Sequence, residues 1–340
     1  MTSQMQRIAL ARRPSGHPVA EDFALKTDPM PAPAQGEVLI EVTHLSLDPY
    51  MRGRMDDVKS YAPAVQIDGT MTGQGVGRVV TAPGTDFTSG DLVTGMTGWA
   101  SHAVLPAAEV RRLDDALPPS TALGVLGMPG FTAWTGLREY GRPKAGETLV
   151  VAAATGPVGS LVGQLAKAAG LRTVAIAGGA EKCHLAVESF GFDAAIDHRA
   201  FDDASSLRKA IAAEAPCGVD IYWENVGGKV LEAVLPLMNV HGRIPICGAI
   251  SWYGGTEDCA DRLPAVWRSI LVKRLSVNGF IIFDHWGNFP TFLQEVSPKV
   301  AAGELSFLED IAEGLENAPA AFMAMLKGGN TGKQIVKVAN

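Results

Sequence analysis

Cysteine is scarce in this 340-residue chain: the four present, Cys183, Cys217, Cys247 and Cys259, all lie in the second half, with no CxxC pair among them. A disulfide scaffold or a zinc ribbon needs clustered cysteines, so free thiols in a reducing compartment are expected. The seven histidines are equally scattered and none stands in an HxxxH or HExxH frame. No uninterrupted apolar run reaches the roughly 18 residues that span a bilayer, and the stretch before Arg12-Arg13 lacks the apolar core of a secretion signal. Excess positive charge is missing as well. With a net charge of −7, neither nucleic acid nor an anionic membrane surface is expected as a partner, because both select basic patches. A soluble cytoplasmic protein fits these absences best.

What is present is enough apolar residue for two cores, 47% of a chain longer than most single domains. The most informative stretch is Glu147–Ala177. Thr148–Ala152 and Thr173–Ala177 are short apolar runs of the kind that form buried parallel strands, and the segment from Pro157 to about Ala169 between them is helical. At the strand-to-helix turn stands Ala154-Thr155-Gly156-Pro157-Val158-Gly159, a dinucleotide fingerprint in which Ala replaces the first glycine. Gly156 lets backbone approach a pyrophosphate, Pro157 suits a first helical turn, and Gly159 allows close helix–strand packing. The helix N-terminus offers free N–H groups to the phosphates. A ligand-free tight turn is the alternative for a degenerate match, and the correct flanks on both sides favour the nucleotide.

Cofactor choice turns on the end of the second strand, where a carboxylate would hold the ribose hydroxyls of NAD. The chain reads Gly178-Gly179-Ala180-Glu181-Lys182 there. Glycines leave room for a 2′-phosphate and Lys182 can neutralise it, which favours NADP.

The first 110 residues read as short strands broken by Gly and Pro, with Val38–Val42, Gly75–Val80, Asp91–Thr94 and Ser101–Val104 as candidates for a small antiparallel barrel. Ser120 is a plausible helix cap, and Gly127-Met128-Pro129-Gly130 is expected to interrupt the helical pattern before Phe131–Tyr140. Beyond the fingerprint, Ala194–Ile196, Val219–Trp223, Gly242–Cys247 and Ser276–Phe283 alternate with helices around Ser205–Glu214 and Lys229–Leu237, the signature of a parallel sheet covered on both faces. Asn225-Val226-Gly227-Gly228 and Gly248-Ala249-Ile250-Ser251 fall at strand C-termini, where open α/β sheets bind ligands. Gln334–Val338 has the alternation of a strand returning to the first domain.

Six ordered segments, Leu47–Met55 (LDPYMRGRM), Gly127–Ala133 (GMPGFTA), Ala153–Gly159, Glu224–Gly228 (ENVGG), Cys247–Ser251 (CGAIS) and Gly332-Lys333, together resemble the medium-chain dehydrogenase/reductase superfamily. They are most similar to its zinc-independent leukotriene B4 dehydrogenase branch, with the prostaglandin, alkenal and curcumin reductases. The resemblance implies an α/β chain: a Rossmann domain with a doubly wound parallel sheet (126–284) and a GroES-like β-barrel domain (1–125 with 285–340). It implies NADPH as hydride donor, reduction of the C=C bond of α,β-unsaturated ketones or aldehydes, and a homodimer. By the same resemblance the cofactor is bordered by Thr132, Thr155, Gly156, Pro157, Val158 and Gly159 at the turn. Gly179 and Lys182 follow it; Asn225, Cys247, Gly248, Ile250, Tyr253, Phe280 and Ile282 come later, and Asn330 precedes the terminal Gly-Lys. The family's Asn-Tyr after the third sheet strand reads Asp197-His198 here, so His198 takes the tyrosine's place and Asp197 adds a negative neighbour.

Zinc-dependent members of the superfamily carry a Gly-His-Glu segment, which here reads Gly73-Gln74-Gly75-Val76-Gly77, and no metal is expected. Without metal, the charge that hydride addition pushes onto a carbonyl oxygen needs other donors. Tyr253 is the best candidate and Tyr50 the second. An aromatic pocket wall is the alternative role for both, and for Tyr50 it is at least as good. Trp99, Trp252, Phe283 and Trp286 are expected to supply further apolar walls. Two other readings stay open: a quinone reductase of the same superfamily, and a non-catalytic NADPH-binding protein on the same fold.

Overall fold

The computed structural model describes residues 4–255 and 262–338, and the chain divides into two units, Met1–Gly127 with Glu309–Asn340 and Met128–Leu308. Cys259 lies outside the described residues, as does most of the Trp252–Arg262 loop.

The first unit opens with a hairpin-like pair, β1 (Gln4–Leu10) and β2 (Phe23–Pro29), antiparallel in a register that sets Leu10 opposite Phe23. Then come β3 (Glu37–Ser46), β4 (Gly75–Thr81), β5 (Leu92–Gly95), β6 (His102–Pro106) and the two-residue β7 (Arg111–Arg112). Ten-residue β3 is the spine: it pairs antiparallel with β4 and with β6. Val38, Ile40, Val42, Val79 and Val93, alternating inward along their strands, make its core. Ser120 caps nothing; Pro119–Leu123 is a 3-10 turn that opens on Pro118.

The second unit begins at α1 (Met128–Gly136), so Pro129 and Gly130 form the helix's first turn and do not interrupt it. Proline is tolerated there because no intrahelical bond needs its N–H. Next come β8 (Thr148–Ala152), α2 (Pro157–Ala168), β9 (Arg172–Ala177), α3 (Ala180–Glu188), β10 (Ala194–Asp197), α4 (Ala204–Glu214) and β11 (Val219–Trp223). The unit continues through α5 (Gly228–Val234), β12 (Met238–Ile246), α6 (Leu263–Lys273), β13 (Ser276–Gly279) and α7 (Phe289–Ala301). The strands are all parallel in the order β10-β9-β8-β11-β12-β13, the doubly wound arrangement whose order reverses beside β8. Val150, Val174, Ile176, Ile221 and Tyr222 are buried in the sheet. The expected strand to Phe283 stops at Gly279, and Ile282–Asn288 coils into a 3-10 turn.

After α7 the chain returns to the first unit with β14 (Glu309–Glu313), α8 (Ala318–Leu326) and β15 (Lys333–Lys337), the last pairing with β3. The boundary therefore falls after Leu308 and not at 284/285. Residues 285–308 stay with the second unit because Phe289 and Phe292 of α7 pack on Phe131 of α1, with ring centroids 5.2 and 5.5 Å apart. These two units have the Rossmann and GroES-like architectures.

Candidate cofactor and catalytic site

The fingerprint turn separates its two glycines by function. A Cβ at Gly159 would lie 2.5 Å from the Ala153 carbonyl oxygen and 3.0 Å from Ala154 Cα, so only glycine lets α2 seat against β8. A Cβ at Gly156 would meet nothing closer than the Ala153 oxygen at 3.4 Å; that side of the turn is open. The left-handed residue is Ala153 (φ 51°), one position before the alanine that replaces the first glycine. A non-glycine there costs about 1 kcal/mol, so the turn holds stored strain. Pro157 is the first residue of α2 and no side chain caps that helix, which leaves its first-turn N–H groups aimed at the open side. Thr155 is buried at 5% exposure, and Val158 stands half-buried on the same turn.

Two further turns are stitched to this one. The Asn225 amide donates to the Ala152 carbonyl at 2.8 Å, tying the end of β11 to the end of β8. Glu224 folds back so that one carboxylate oxygen accepts the Val226 and Gly227 N–H groups at 2.6 and 2.8 Å. Burial pushes the Glu224 carboxyl above the usual range, against the pull of those N–H bonds. Gly227 and Gly228 both have positive φ, 77° and 52°, so the NVGG turn requires them. The Cys247 and Gly248 amides donate to the Glu224 carbonyl, Ile250 N–H to Asn225 O and Ser251 N–H to Val226 O, all at 2.9–3.2 Å. The Cys247 thiol, pushed up to about 12 by burial and by Glu224, is inert. Tyr253 completes the group: its hydroxyl oxygen would be 3.3 Å from a Cβ at Gly248, so it lies against bare backbone at the end of β12. Trp252 packs over Gly227.

At the exit of β9, Gly179 has φ 102° and open space beside it. Asp197 does not face outward as a negative neighbour. Its carboxylate accepts the Gly179 and Arg199 N–H groups at 2.8 and 2.9 Å. Burial opposes its charge, yet those bonds and the nearby Arg199 hold it ionised below the ordinary range. His198 is pushed down by burial and by Lys229 and Arg199, so its imidazole is neutral at pH 7.

Other expected residues lie on neighbouring elements. The Thr132 hydroxyl donates to Met128 O at 2.8 Å within α1. Phe280 stacks on Tyr140 at 5.0 Å, and Ile282 is 8% exposed. Phe283 and Trp286 are exposed, whereas Trp99 is fully buried beside Phe23 and Phe322 in the first unit and lines no pocket surface.

The first unit holds Tyr50 and Asn330. Asn330 donates to Gly332 O at 2.8 Å just before β15. Tyr50 follows Asp48-Pro49 in a 3-10 turn over Pro49–Met55 that is pinned by a buried ion pair: Lys333 Nζ donates to Asp48 at 2.9 Å and to Leu47 O at 2.6 Å. Burial and the Asp48 charge push the Tyr50 phenol above its usual range, so it remains a proton donor at neutral pH. The Arg54 guanidinium lies 5.7 Å from the Tyr50 ring and 4.2 Å from that of Tyr61. Neither the Lys333–Asp48 pair nor the Glu224 turn is evident from the order of residues alone. A Gly-Lys at the start of the last strand and an acid three residues before Gly-Gly were the only signals.

The Gly73–Gly77 segment serves packing. A Cβ at Gly77 would fall 2.0 Å from the Glu41 carbonyl oxygen, and one at Gly73 would strike Trp99. Among the described residues no three His, Cys, Asp or Glu side chains are grouped to hold a metal ion.

Comparison with known proteins identifies the family. A family model described as the N-terminal domain of oxidoreductase matches residues 6–113, and one described as zinc-binding dehydrogenase matches 157–298. The NADPH-dependent curcumin reductase of Escherichia coli is 50% identical over 98% of this chain and 97% of its own. The NADP(+)-dependent 2-alkenal reductase of Nicotiana tabacum is 39% identical over 98% and 97%. Among solved structures, CurA of Vibrio vulnificus in complex with NADPH superposes with a TM-score of 0.93 at 47% identity, covering 98% of this chain and 99% of that one. The chain thus belongs to the medium-chain dehydrogenase/reductase superfamily, in the zinc-independent branch of the curcumin, alkenal and prostaglandin reductases.

Proposed function

We propose that this protein is an NADPH-dependent reductase of the C=C bond of α,β-unsaturated ketones and aldehydes. The observation that carries the reading is the joining of an open dinucleotide turn to a tyrosine hydroxyl through Asn225 and the Gly248 backbone, in a chain half identical to a curcumin reductase. The glycine turn and α2 N-terminus fit a pyrophosphate, and the Gly179 exit with Lys182 fits a phosphorylated ribose. When bound, NADPH supplies the hydride. Tyr253 donates a hydrogen bond to the carbonyl oxygen as charge develops there, and Asn225 holds its strand end to the fingerprint. Tyr50 serves as a second protonated phenol.

An NADPH-consumption screen over enals, enones and quinones of graded size tests the reading. Turnover of enones and enals is expected; oxidation with quinones alone would convert it to the quinone-reductase alternative, and no oxidation despite tight NADPH binding to the non-catalytic one. Replacing Lys182 by Ala is expected to weaken NADPH by about tenfold or more while leaving NADH little changed, the worth of one charge-assisted contact. Equal losses for both cofactors would remove Lys182 from the phosphate site.

The reading extends to a cytoplasmic homodimer. No helix of the described residues is long and apolar enough to cross a membrane, and Cys183, Cys217 and Cys247 are unpaired. In the second unit β13 is an edge strand, and α6 beside it exposes Leu263 (60%), Trp267 (62%) and Leu271 (76%) at four-residue spacing. An open edge flanked by an apolar stripe is the self-complementary surface that a two-fold dimer covers. Light scattering is expected to give a dimer for the native protein and a monomer for Trp267→Glu with Leu271→Glu; a native monomer would end the proposal.

A further inference from the structure

His198 stands where the branch carries a tyrosine after the third sheet strand, and its imidazole is neutral. The structure supplies another cation. A Cβ built on Gly178 would lie 2.8 Å from Arg199 Nε, 3.1 Å from Arg199 Cζ and 3.1 Å from His198 Nε2. The guanidinium is therefore laid across the bare glycine at the β9 exit, in the space that a side chain would otherwise fill, next to the open flank of Gly179.

Two sets of contacts fix the backbone of the turn that carries it. Asp197 accepts the N–H groups of both Gly179 and Arg199, which ties the exits of β9 and β10 together. Lys229 Nζ donates to the carbonyls of His198 (3.0 Å) and Phe201, which closes the same turn from its other side and commits that ammonium to backbone. The Arg199 guanidinium itself has no carboxylate partner among the described residues. That sets it apart from Arg172 and Arg243, each paired with a glutamate. A planar fork of donors, exposed and held over a glycine, suits a phosphate dianion better than a point charge does.

We propose that Arg199 is a specificity-determining residue for the 2′-phosphate of NADPH, gripping it together with Lys182, and that Asp197 is the tether that holds Gly179 and Arg199 in place. This assignment rests on the NADPH reading above, and it replaces the tyrosine of the branch's pattern with an arginine one position later.

Calorimetric titration of the full-length protein with 2′,5′-ADP and with 5′-AMP tests it, since the two probes differ only in the phosphate at issue. The native protein is expected to prefer 2′,5′-ADP, and Arg199→Ala to lose about tenfold or more of that preference with 5′-AMP affinity unchanged. Arg199→Lys should restore part of it, and Lys182→Ala combined with Arg199→Ala should abolish it. Because Arg199 is exposed, an unchanged melting temperature is expected to accompany these losses. If the native protein shows no preference, the NADPH reading itself fails. If it shows the preference and Arg199→Ala keeps it in full, only the present proposal is overturned. Asp197→Asn retains an acceptor and should leave the preference within about twofold; a severalfold gain would mean that Asp197 repels the phosphate and is no tether.

Discussion

Replacing Tyr253 by Phe is expected to slow hydride transfer by about ten- to a thousandfold while leaving NADPH affinity nearly unchanged, the usual cost of losing one oxyanion donor. The substitution keeps the ring and removes only the hydroxyl. That hydroxyl lies against Gly248, and the backbone beneath is held by the Cys247, Gly248 and Ile250 amides to Glu224 and Asn225. The loss of a donor should therefore not move the turn. Single-turnover absorbance with a good enone isolates the chemical step from product release, and a transfer rate equal to the native one would reduce Tyr253 to a pocket wall and shift attention to Tyr50.

Lys333→Met should destabilise the first unit by roughly 3–5 kcal/mol, the cost of leaving one partner of a buried ion pair alone. The Lys333 side chain is 2% exposed and that of Asp48 8%. Burial pulls the Lys333 ammonium below its usual range, and Asp48 and Glu309 pull it back up. Without the cation, the Ser46 hydroxyl is the side-chain partner left to Asp48 among the described residues, and the Leu47 carbonyl loses the Lys333 donor. Adding Asp48→Asn removes the stranded charge and should recover more than half of the loss, because a buried pair is worth little more than a neutral replacement of both members. Denaturant unfolding followed by fluorescence measures both variants, with the transition of each unit fitted separately. A single variant that unfolds within about 1 kcal/mol of the native protein would mean that the pair is not a structural anchor.

The strands and helices of the second unit were legible because their signals are local. Thr148–Ala152 and Val219–Trp223 are mostly apolar, as strands buried on both faces are, and Gly159 of the fingerprint marks a close helix–strand approach that a side chain would block. The order of the motifs gave family, cofactor and reaction class. Other elements carried no such signal. β1 is half polar, and β14 (Glu-Asp-Ile-Ala-Glu) is a strand only because β15 pairs with it in parallel. The boundary after Leu308 was hidden for a similar reason, since it depends on Phe289 and Phe292 meeting Phe131, more than 150 positions away in the sequence.

At the site the division is the same. The amino-acid sequence by itself determined which residues are available: the glycine turn, Lys182, Asn225, Tyr50 and Tyr253. It placed a negative charge at Asp197 and could not say where that charge pointed. Only the tertiary structure decided this, because β9 and β10 are neighbours in the sheet and bring the Gly179 N–H, 18 residues earlier, within 2.8 Å of the carboxylate. That carboxylate keeps its charge but turns its oxygen onto backbone N–H groups, and the same folding lays Arg199 over Gly178. Spacing along a chain reports periodicity and turn chemistry; which charge faces a ligand is set by backbone donors that arrive from distant strands.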